Sequence, residues 1–229
     1  YAVSLRNISL IFNPLDLRFW NGGNRSFALQ ALGISSEAQV AVWHGRIELH
    51  LKGLDILIDA WELFSRNRFG RDLRLLLVGT GSDVELLLQR LSVKQLLCVL
   101  RVDVYILDRT AIRNYLTAAD IYVLASRHEG FPVAPLEAMA CGLPVVATDV
   151  PGIADILEGG ENSGGIVVPR ENSEAMALAI GRILDNESLR RELGRLARLR
   201  VESQFSLEAV GKKLSSFIGR TEACRCPSV

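Results

Sequence analysis

The chain has 229 residues, of which 49% are hydrophobic, so one large domain or two small ones with a sizeable core can form. Lysine and arginine together number 26, as do aspartate and glutamate, and this balance gives no reason to expect nucleic acid as a partner. No apolar stretch approaches the roughly 20 residues of a membrane span, and no signal segment opens the chain. Since the chain starts at Tyr1 without a methionine, we expect a fragment, or a mature end, of something longer.

The four cysteines are too few and too scattered for a disulfide scaffold. Cys141 lies in an apolar helix end and is interpreted as a small buried thiol. Cys224 and Cys226 form a lone CxC in the last residues, which is weak evidence for metal binding or pairing.

Residues 1–39 are predicted to form a connecting segment, with a short strand over 8–12 and a brief helix capped by Ser26. From residue 40 a regular alternation begins. Apolar runs predict strands over 40–43, 73–78, 102–107, 121–124, 143–147 and 165–168. Amphipathic or capped segments predict helices over 53–64, 83–91, 110–118, 153–158 and 174–184, with Ser82 and Thr110 as caps of the second and third.

Six apolar strands separated by helices indicate an α/β fold: a single Rossmann-like domain over 40–186, with a six-stranded parallel sheet and helices on both faces. In such sheets ligands bind outside the carboxyl ends of the strands, so the loops that follow strands are the candidate site. Residues 187–220 are predicted to form two further helices, and 221–229 a tail.

The first of these two helices is strongly basic between Arg190 and Arg200. A solvated basic face on a packed helix is the simpler interpretation. The alternative is a face for an anionic acceptor, a partner domain or a membrane surface.

The rest of the chain is organised around residues 126–148, which are predicted to form a loop, a helix and a turn between two strands. Pro135 suits the first helical turn, where its missing N–H would have no intrahelical partner, and the amides there can hold an anion. Glu129 and Glu137 lie eight positions apart in this stretch. Each alone would usually be a solvated residue. Together they offer acceptors for the hydroxyls of a sugar and of a ribose, with phosphates between them.

Two earlier loops also follow predicted strands. Arg46 and Lys52 lie in a loop bracketed by glycines just before a helix, and their charges suit a diphosphate. Gly79 opens a Gly-Thr-Gly turn that lacks the full nucleotide-binding motifs; we interpret it either as a point of close ligand approach or as a plain turn.

The string from Glu129-Gly130-Phe131 through Glu137-Ala138-Met139-Ala140 to Thr148 resembles the E-x7-E signature of retaining glycosyltransferases of family 4, which have the GT-B fold. The loop with Arg46 and Lys52 resembles that family's phosphate-binding loop, and the run ending at Gly79 resembles its second strand. The resemblance covers about residues 8–219. It implies the C-terminal, nucleotide-sugar-binding half of GT-B.

The resemblance also implies roles. Glu129 would contact donor-sugar hydroxyls near the reacting carbon and is the candidate catalytic residue, while Glu137 would accept from the ribose. The other implied donor-binding residues are Arg46 and Lys52 at the diphosphate, Gly79, the backbone of Phe131, Pro132 and Val133, and the base contacts from Leu107 to Arg109. Family members generally need no metal cofactor, and the chain contains no DxD motif.

Three departures from the family stand out, and one of them is Pro151, which replaces a common glycine. Pro132 replaces a common glycine and offers no N–H to a phosphate. The N-terminal domain, which supplies the acceptor site in this family, is absent from the sequence, and the histidines at 44, 50 and 128 are interpreted as structural or solvated.

We therefore predict half of a retaining hexosyltransferase that uses a UDP- or GDP-linked sugar, inactive by itself. It would be cytoplasmic, with the inner membrane face as a possible site. The alternatives are a GT-B sugar-nucleotide epimerase and a non-catalytic module that binds a nucleotide sugar or a protein. The base, sugar and acceptor stay open.

Overall fold

A computed structural model of the chain describes residues 8–66, 68–96, 98–102 and 108–223. Within them the strands are β1 (Gln39–His44), β2 (Leu73–Val78), β3 (Val99–Val102), β4 (Ile121–Leu124), β5 (Val145–Thr148) and β6 (Gly165–Val168). The helices are α1 (Arg25–Ala31), α2 (Leu54–Ser65), α3 (Val84–Val93), α4 (Arg109–Ala118), α5 (Ala134–Ala140), α6 (Ile153–Ile156), α7 (Ser173–Leu184), α8 (Glu187–Gln204) and α9 (Leu207–Ala223).

The six strands form one parallel sheet in the order β3-β2-β1-β4-β5-β6. The predicted fold class, an α/β Rossmann-like domain with a six-stranded parallel sheet, is confirmed. The chain winds outward in one direction from β1 to β3 and in the other from β4 to β6. The loops after β1 and β4 therefore diverge and leave a crevice between them at the carboxyl ends of the strands.

Alternate residues of each strand enter two separate cores, because successive strand side chains point to opposite faces. Val40, Val42 and Tyr122 pack with helices α1, α4, α5 and α8 on one face. Ala41 and Trp43 pack with α2, α3 and α7 on the other. Helices therefore cover both faces of the sheet, as the near-continuous apolar strands predicted.

The predicted strand over 8–12 is wrong: these residues lie outside the sheet, and the connector is held by side-chain packing instead. Phe12 stacks on Phe131 with ring centroids 4.8 Å apart. Leu15 forms an isolated parallel bridge with Ser206, next to the start of α9. An apolar run outside the sheet can therefore be held by side-chain packing alone.

The third strand begins at Val99 and not at Val102 as predicted. Its parallel register pairs Val99 with Leu75 and Val102 with Val78. Residues 103–107, which completed the predicted strand, lie outside the described residues, as do Cys224 and Cys226 of the CxC motif.

Three of the predicted caps, Ser26, Ser82 and Thr110, are wrong. Asn24 and Asp108 cap α1 and α4 through their side chains, and Asp83 precedes α3 without a capping bond. Several neighbouring residues could cap each helix, and local sequence does not choose among them.

Candidate functional site

A cavity of about 350 Å³ opens in the crevice between the loops that follow β1 and β4. It lies at the carboxyl edge of the sheet, as predicted for the ligand site of a parallel α/β domain. Its lining combines charged side chains with the first turn of α5: Trp43, His44, Gly45, Arg46, Glu48, Lys52, Leu124, Glu129, Pro132, Val133 and Ala134.

The central feature of this cavity is an ion pair between the two loops. Lys52 Nζ lies 2.9 Å from Glu129 Oε1, and the two side chains are only 23% and 13% exposed. Ser126 Oγ donates to the same carboxylate oxygen at 2.7 Å. The structure therefore brings together two predicted site residues that are 77 positions apart in the chain.

A second polar contact lies beneath the cavity. His44, the last residue of β1, has Nε2 2.9 Å from Glu137 Oε2 on α5. The buried Tyr122 hydroxyl donates to the His44 carbonyl at 3.4 Å. Burial, and then the charges of Glu137 and Glu129, raise the pKa of Tyr122 well above its ordinary value, so this phenol stays protonated.

Two glycines allow the loops around the cavity to pack closely. Gly53 has φ +60°, and a Cβ there would lie 1.9 Å from the Ala125 carbonyl oxygen. Gly79 is equally close to the Gly45 carbonyl oxygen. Gly79 thus supports the loop after β1 from behind and is not among the residues that line the cavity.

Arg127 joins the same two loops and was missed by the sequence reasoning. Its guanidinium donates to both carboxylate oxygens of Asp55 at 2.7 and 2.8 Å, to the His50 carbonyl at 2.6 Å, and to Glu171. Its main-chain N–H donates to the Leu51 carbonyl at 3.0 Å. An arginine two residues before a candidate loop glutamate, and an aspartate in the first turn of α2, were the available signals, but neither indicates its partner.

The contact between Arg127 and Asp55 shifts the pKa of both side chains in the direction that keeps them charged. Burial acts to raise the pKa of Asp55, but hydrogen bonds and charge from Arg127 outweigh it, and the pKa lies below its usual value. The hydrogen bonds to Asp55, together with the charges of Asp55 and Glu171, raise the pKa of Arg127. All three guanidinium nitrogens of Arg127 therefore donate hydrogen bonds within the protein, and we assign this side chain to joining the loops and not to binding a ligand.

The remaining predicted site residues lie around the cavity in different ways. Arg46 is 70% exposed at its edge, with a long contact of 3.4 Å to Glu48. Pro132 and Val133 line the cavity, while the Phe131 ring packs against Phe12 and Phe205.

Helix α5 begins at Ala134 with Pro135 in its first turn, as predicted, and its N-cap Val133 provides no side-chain bond. The Arg109 guanidinium lies over the Phe19 and Trp20 rings, 4.7 and 5.3 Å from their centroids. Leu107 lies outside the described residues.

The arginines of α8 are all engaged. Arg198 and Arg200 donate to main-chain carbonyls of Trp20, Ala140, Asp155 and Ile156. All five also lie within ion-pair distance of a carboxylate, in the pairs Arg190–Asp120, Arg191–Glu187, Arg195–Glu192, Arg198–Glu202 and Arg200–Glu158. Much of the basic charge predicted for this helix is therefore compensated within the domain.

Two features are absent from the described part of the chain. Among residues 8–66, 68–96, 98–102 and 108–223, none of the helices combines the length and apolar character that crossing a bilayer requires. The same residues contain no group of three or more histidine, cysteine, aspartate or glutamate side chains placed to hold a metal ion.

The strand order of this parallel sheet reverses between β1 and β4, and this switch point carries the Lys52–Glu129 ion pair. Such an arrangement is typical of ligand-binding domains of the Rossmann-like α/β class. The sequence model for the glycosyl transferases group 1 matches residues 38–186, more than half of the chain. The chain therefore belongs to the group 1 glycosyltransferase family, and its fold is the Rossmann-like domain that forms the C-terminal half of GT-B enzymes.

Individual relatives agree with this assignment. The D-inositol 3-phosphate glycosyltransferase of Saccharomonospora viridis is 33% identical over 194 residues, which is 80% of this chain and 43% of that protein. Sucrose-phosphate synthase from Thermosynechococcus elongatus matches 94% of this chain and 53% of its own, with a TM-score of 0.78 and 27% identity.

Anabaena HepE, solved in complex with UDP, has a TM-score of 0.81 at 21% identity, over 93% of this chain and 57% of its own. The chain spans about half the length of the curated relatives that it matches.

Proposed function

We propose that this chain is the nucleotide-sugar-binding half of a retaining glycosyltransferase that transfers a hexosyl group from a UDP- or GDP-linked donor to an acceptor. The observation that carries the proposal is the pairing of Lys52 with Glu129 inside the switch-point cavity, with Arg46 at its edge. A nucleotide sugar needs cations for its diphosphate and anionic acceptors for its hydroxyls, and this cavity offers both within a few ångströms.

The diphosphate would lie between the loop after β1 and the first turn of α5. Arg46 is largely exposed and free to reorient. Lys52 would exchange its contact with the Glu129 carboxylate for one with a phosphate. Val133 and Ala134 line the same cavity, where first-turn amides have no intrahelical acceptor. Pro132 also lines this cavity, but it has no main-chain N–H to donate to a phosphate.

Glu129 would receive the sugar. An ionised carboxylate can accept about four hydrogen bonds, and Lys52 and Ser126 both use a single oxygen of Glu129. Among the described residues no hydrogen bond to the second oxygen is recorded, and this oxygen would accept from donor hydroxyls near the reacting carbon. If Lys52 binds the diphosphate, Glu129 Oε1 loses its hydrogen bond from Lys52. This oxygen would then also be able to accept hydrogen bonds from the sugar, which is attached to the diphosphate.

Positive charge at the diphosphate is also what the reaction requires. Negative charge develops on the leaving phosphate as the glycosidic bond breaks, and preorganised cations stabilise that charge without having to reorganise. Arg46 and Lys52 would supply it, and the proposal includes no metal ion. Retention of the anomeric configuration rests on the resemblance of the two-glutamate signature to retaining enzymes.

The acceptor site and the opposite wall of the donor site would come from an N-terminal domain. A cavity of about 350 Å³ is at the small end for a site that encloses a drug-sized ligand. We therefore expect this chain alone to bind nucleotide diphosphates weakly and to transfer no sugar. A cytoplasmic location, and a membrane contact through α8, stay predictions.

Isothermal titration calorimetry with UDP, GDP and their hexose conjugates tests the site. Lys52→Ala and Glu137→Ala should each weaken binding about 10-fold, the effect of losing one charged hydrogen bond. Lys212→Ala, an exposed change on α9, is the matched control and should bind like the wild type. A folded wild type that binds none of these ligands would refute the site.

A second experiment separates an enzyme from a non-catalytic module. If this domain is joined to the N-terminal half of a natural full-length protein, transfer should appear, and NMR of the product should show the donor's anomeric configuration retained. An inverted product would reject retention, and tight donor binding without transfer to any acceptor would favour the binding module.

A further inference from the structure

His44 lies at a point where the sheet meets α5. Val40 and Val42 face the core that contains α5, and His44, two residues further along β1, continues that face. Its side chain is 9% exposed, and its ring lies edge-on to Tyr122 with centroids 5.5 Å apart. The histidine is therefore held in one orientation beneath the cavity.

The hydrogen bond to Glu137 determines which nitrogen carries the proton. An ionised carboxylate only accepts, so the 2.9 Å contact requires a donated Nε2–H. Nδ1 is buried and has no hydrogen-bond partner among the residues that the structure describes. A buried lone pair without a donor is tolerated better than a buried N–H without an acceptor, which assigns the tautomer with its proton on Nε2.

This contact occupies only half of the carboxylate. Oε2 of Glu137 is bonded to His44, and within the described part of the chain no hydrogen bond is recorded for Oε1. The side chain remains 18% exposed at the start of α5. Without His44, the carboxylate could rotate and present either oxygen, or neither, to the crevice.

We infer that His44 is a positioning residue: its Nε2–H fixes one oxygen of Glu137 so that the other is presented to the ribose hydroxyls of the nucleotide. This inference rests on the proposed function and deepens it. His44 lines the cavity, but its Nε2–H is engaged by Glu137, so its effect should depend on the ribose hydroxyls and be absent for a ligand that lacks a ribose.

A cycle of protein variants and ligands tests this directly. The ligands are the nucleoside diphosphate that the wild type binds, its 2′,3′-dideoxy analogue, and inorganic pyrophosphate. The wild type should bind the complete nucleotide about 10-fold more tightly than the dideoxy analogue. In His44→Val that ratio should fall to within about 2-fold, while pyrophosphate affinity should stay within about 2-fold of the wild type.

Two further variants sharpen the result. His44→Gln places an amide donor at similar reach and should restore much of the discrimination against the dideoxy ligand. His50→Gln, an exposed histidine change in the loop after β1, should behave like the wild type. Retained pyrophosphate binding also demonstrates that each variant is folded.

Three results would overturn the inference. The first is a His44→Val variant that discriminates as well as the wild type. The second is an equal loss for nucleotide and pyrophosphate, which would mean general damage to the site. The third is a wild type that binds the diphosphate but ignores the missing hydroxyls. A wild type that binds no nucleotide at all refutes the proposed function as well, and is thereby distinguished from these.

Discussion

Replacing Arg127 by methionine should loosen the connection between the loops that carry Lys52 and Glu129. Methionine keeps much of the length of the side chain and removes its charge and all of its donors. Asp55 would then lose both of its hydrogen bonds from the guanidinium, and the His50 carbonyl would lose one. The Arg127 and Asp55 side chains are 15% and 24% exposed, so solvent replaces little of what is lost.

The expected cost follows from that burial. Breaking a buried ion pair costs roughly 3–5 kcal/mol, and an exposed pair is worth about 0–1 kcal/mol. The pair with Asp55 lies closer to the buried limit, and we expect about 2–3 kcal/mol. Glu171 is 60% exposed and should add little. For a chain of this length the loss corresponds to a Tm lower by roughly 5–10 °C.

Urea denaturation of the wild type and of Arg127→Met measures this free energy, with the m-value checking that both unfold in the same way. The matched control is Arg182→Met, which removes an equally bidentate pair with Glu161 whose side chains are 54% and 43% exposed. The control should cost less than about 1 kcal/mol. If Arg127→Met costs no more than the control, burial does not determine the strength of this connection.

Two other predictions concern acid and backbone strain. The pKa of Asp55 is lowered in the folded state, so its stabilising contribution is present above the ordinary pKa of 3.8 and is lost as the pH falls through the lower folded value. The unfolding free energies of wild type and Asp55→Asn should therefore converge below pH 3.8, and a constant difference would contradict this. Gly53→Ala should destabilise by several kcal/mol more than Gly33→Ala. Both glycines have φ near +60°, but only at position 53 would the Cβ collide with backbone; equal melting temperatures would refute the collision.

Much of the fold could be predicted from local sequence. Period-2 and period-3.6 hydrophobic patterns are properties of neighbouring residues, and three strands have the predicted bounds. The errors fell where local patterns are equivalent. An apolar run over 8–12 fits a strand and a packing segment equally well, and a cap can shift by one or two residues without changing the pattern.

The candidate site was partly predictable for a related reason. Parallel strands end at one edge of the sheet, so loops after strands could be grouped before their neighbours were known. Arg127 and His44 could not be assigned in this way. Their partners are Asp55, 72 positions away, and Glu137, 93 positions away, and no pattern of neighbouring residues specifies which distant residue each one contacts.

By itself, the sequence determined a parallel α/β domain, the edge of the sheet that carries the ligand site, and a signature with two glutamates. Only the tertiary structure decided that β1 lies beside β4. That adjacency pairs Lys52 with Glu129 and sets His44 beneath Glu137. The physical reason is that strand order depends on the direction of each crossover, which is settled by packing both faces of the sheet and not by any pattern within one segment.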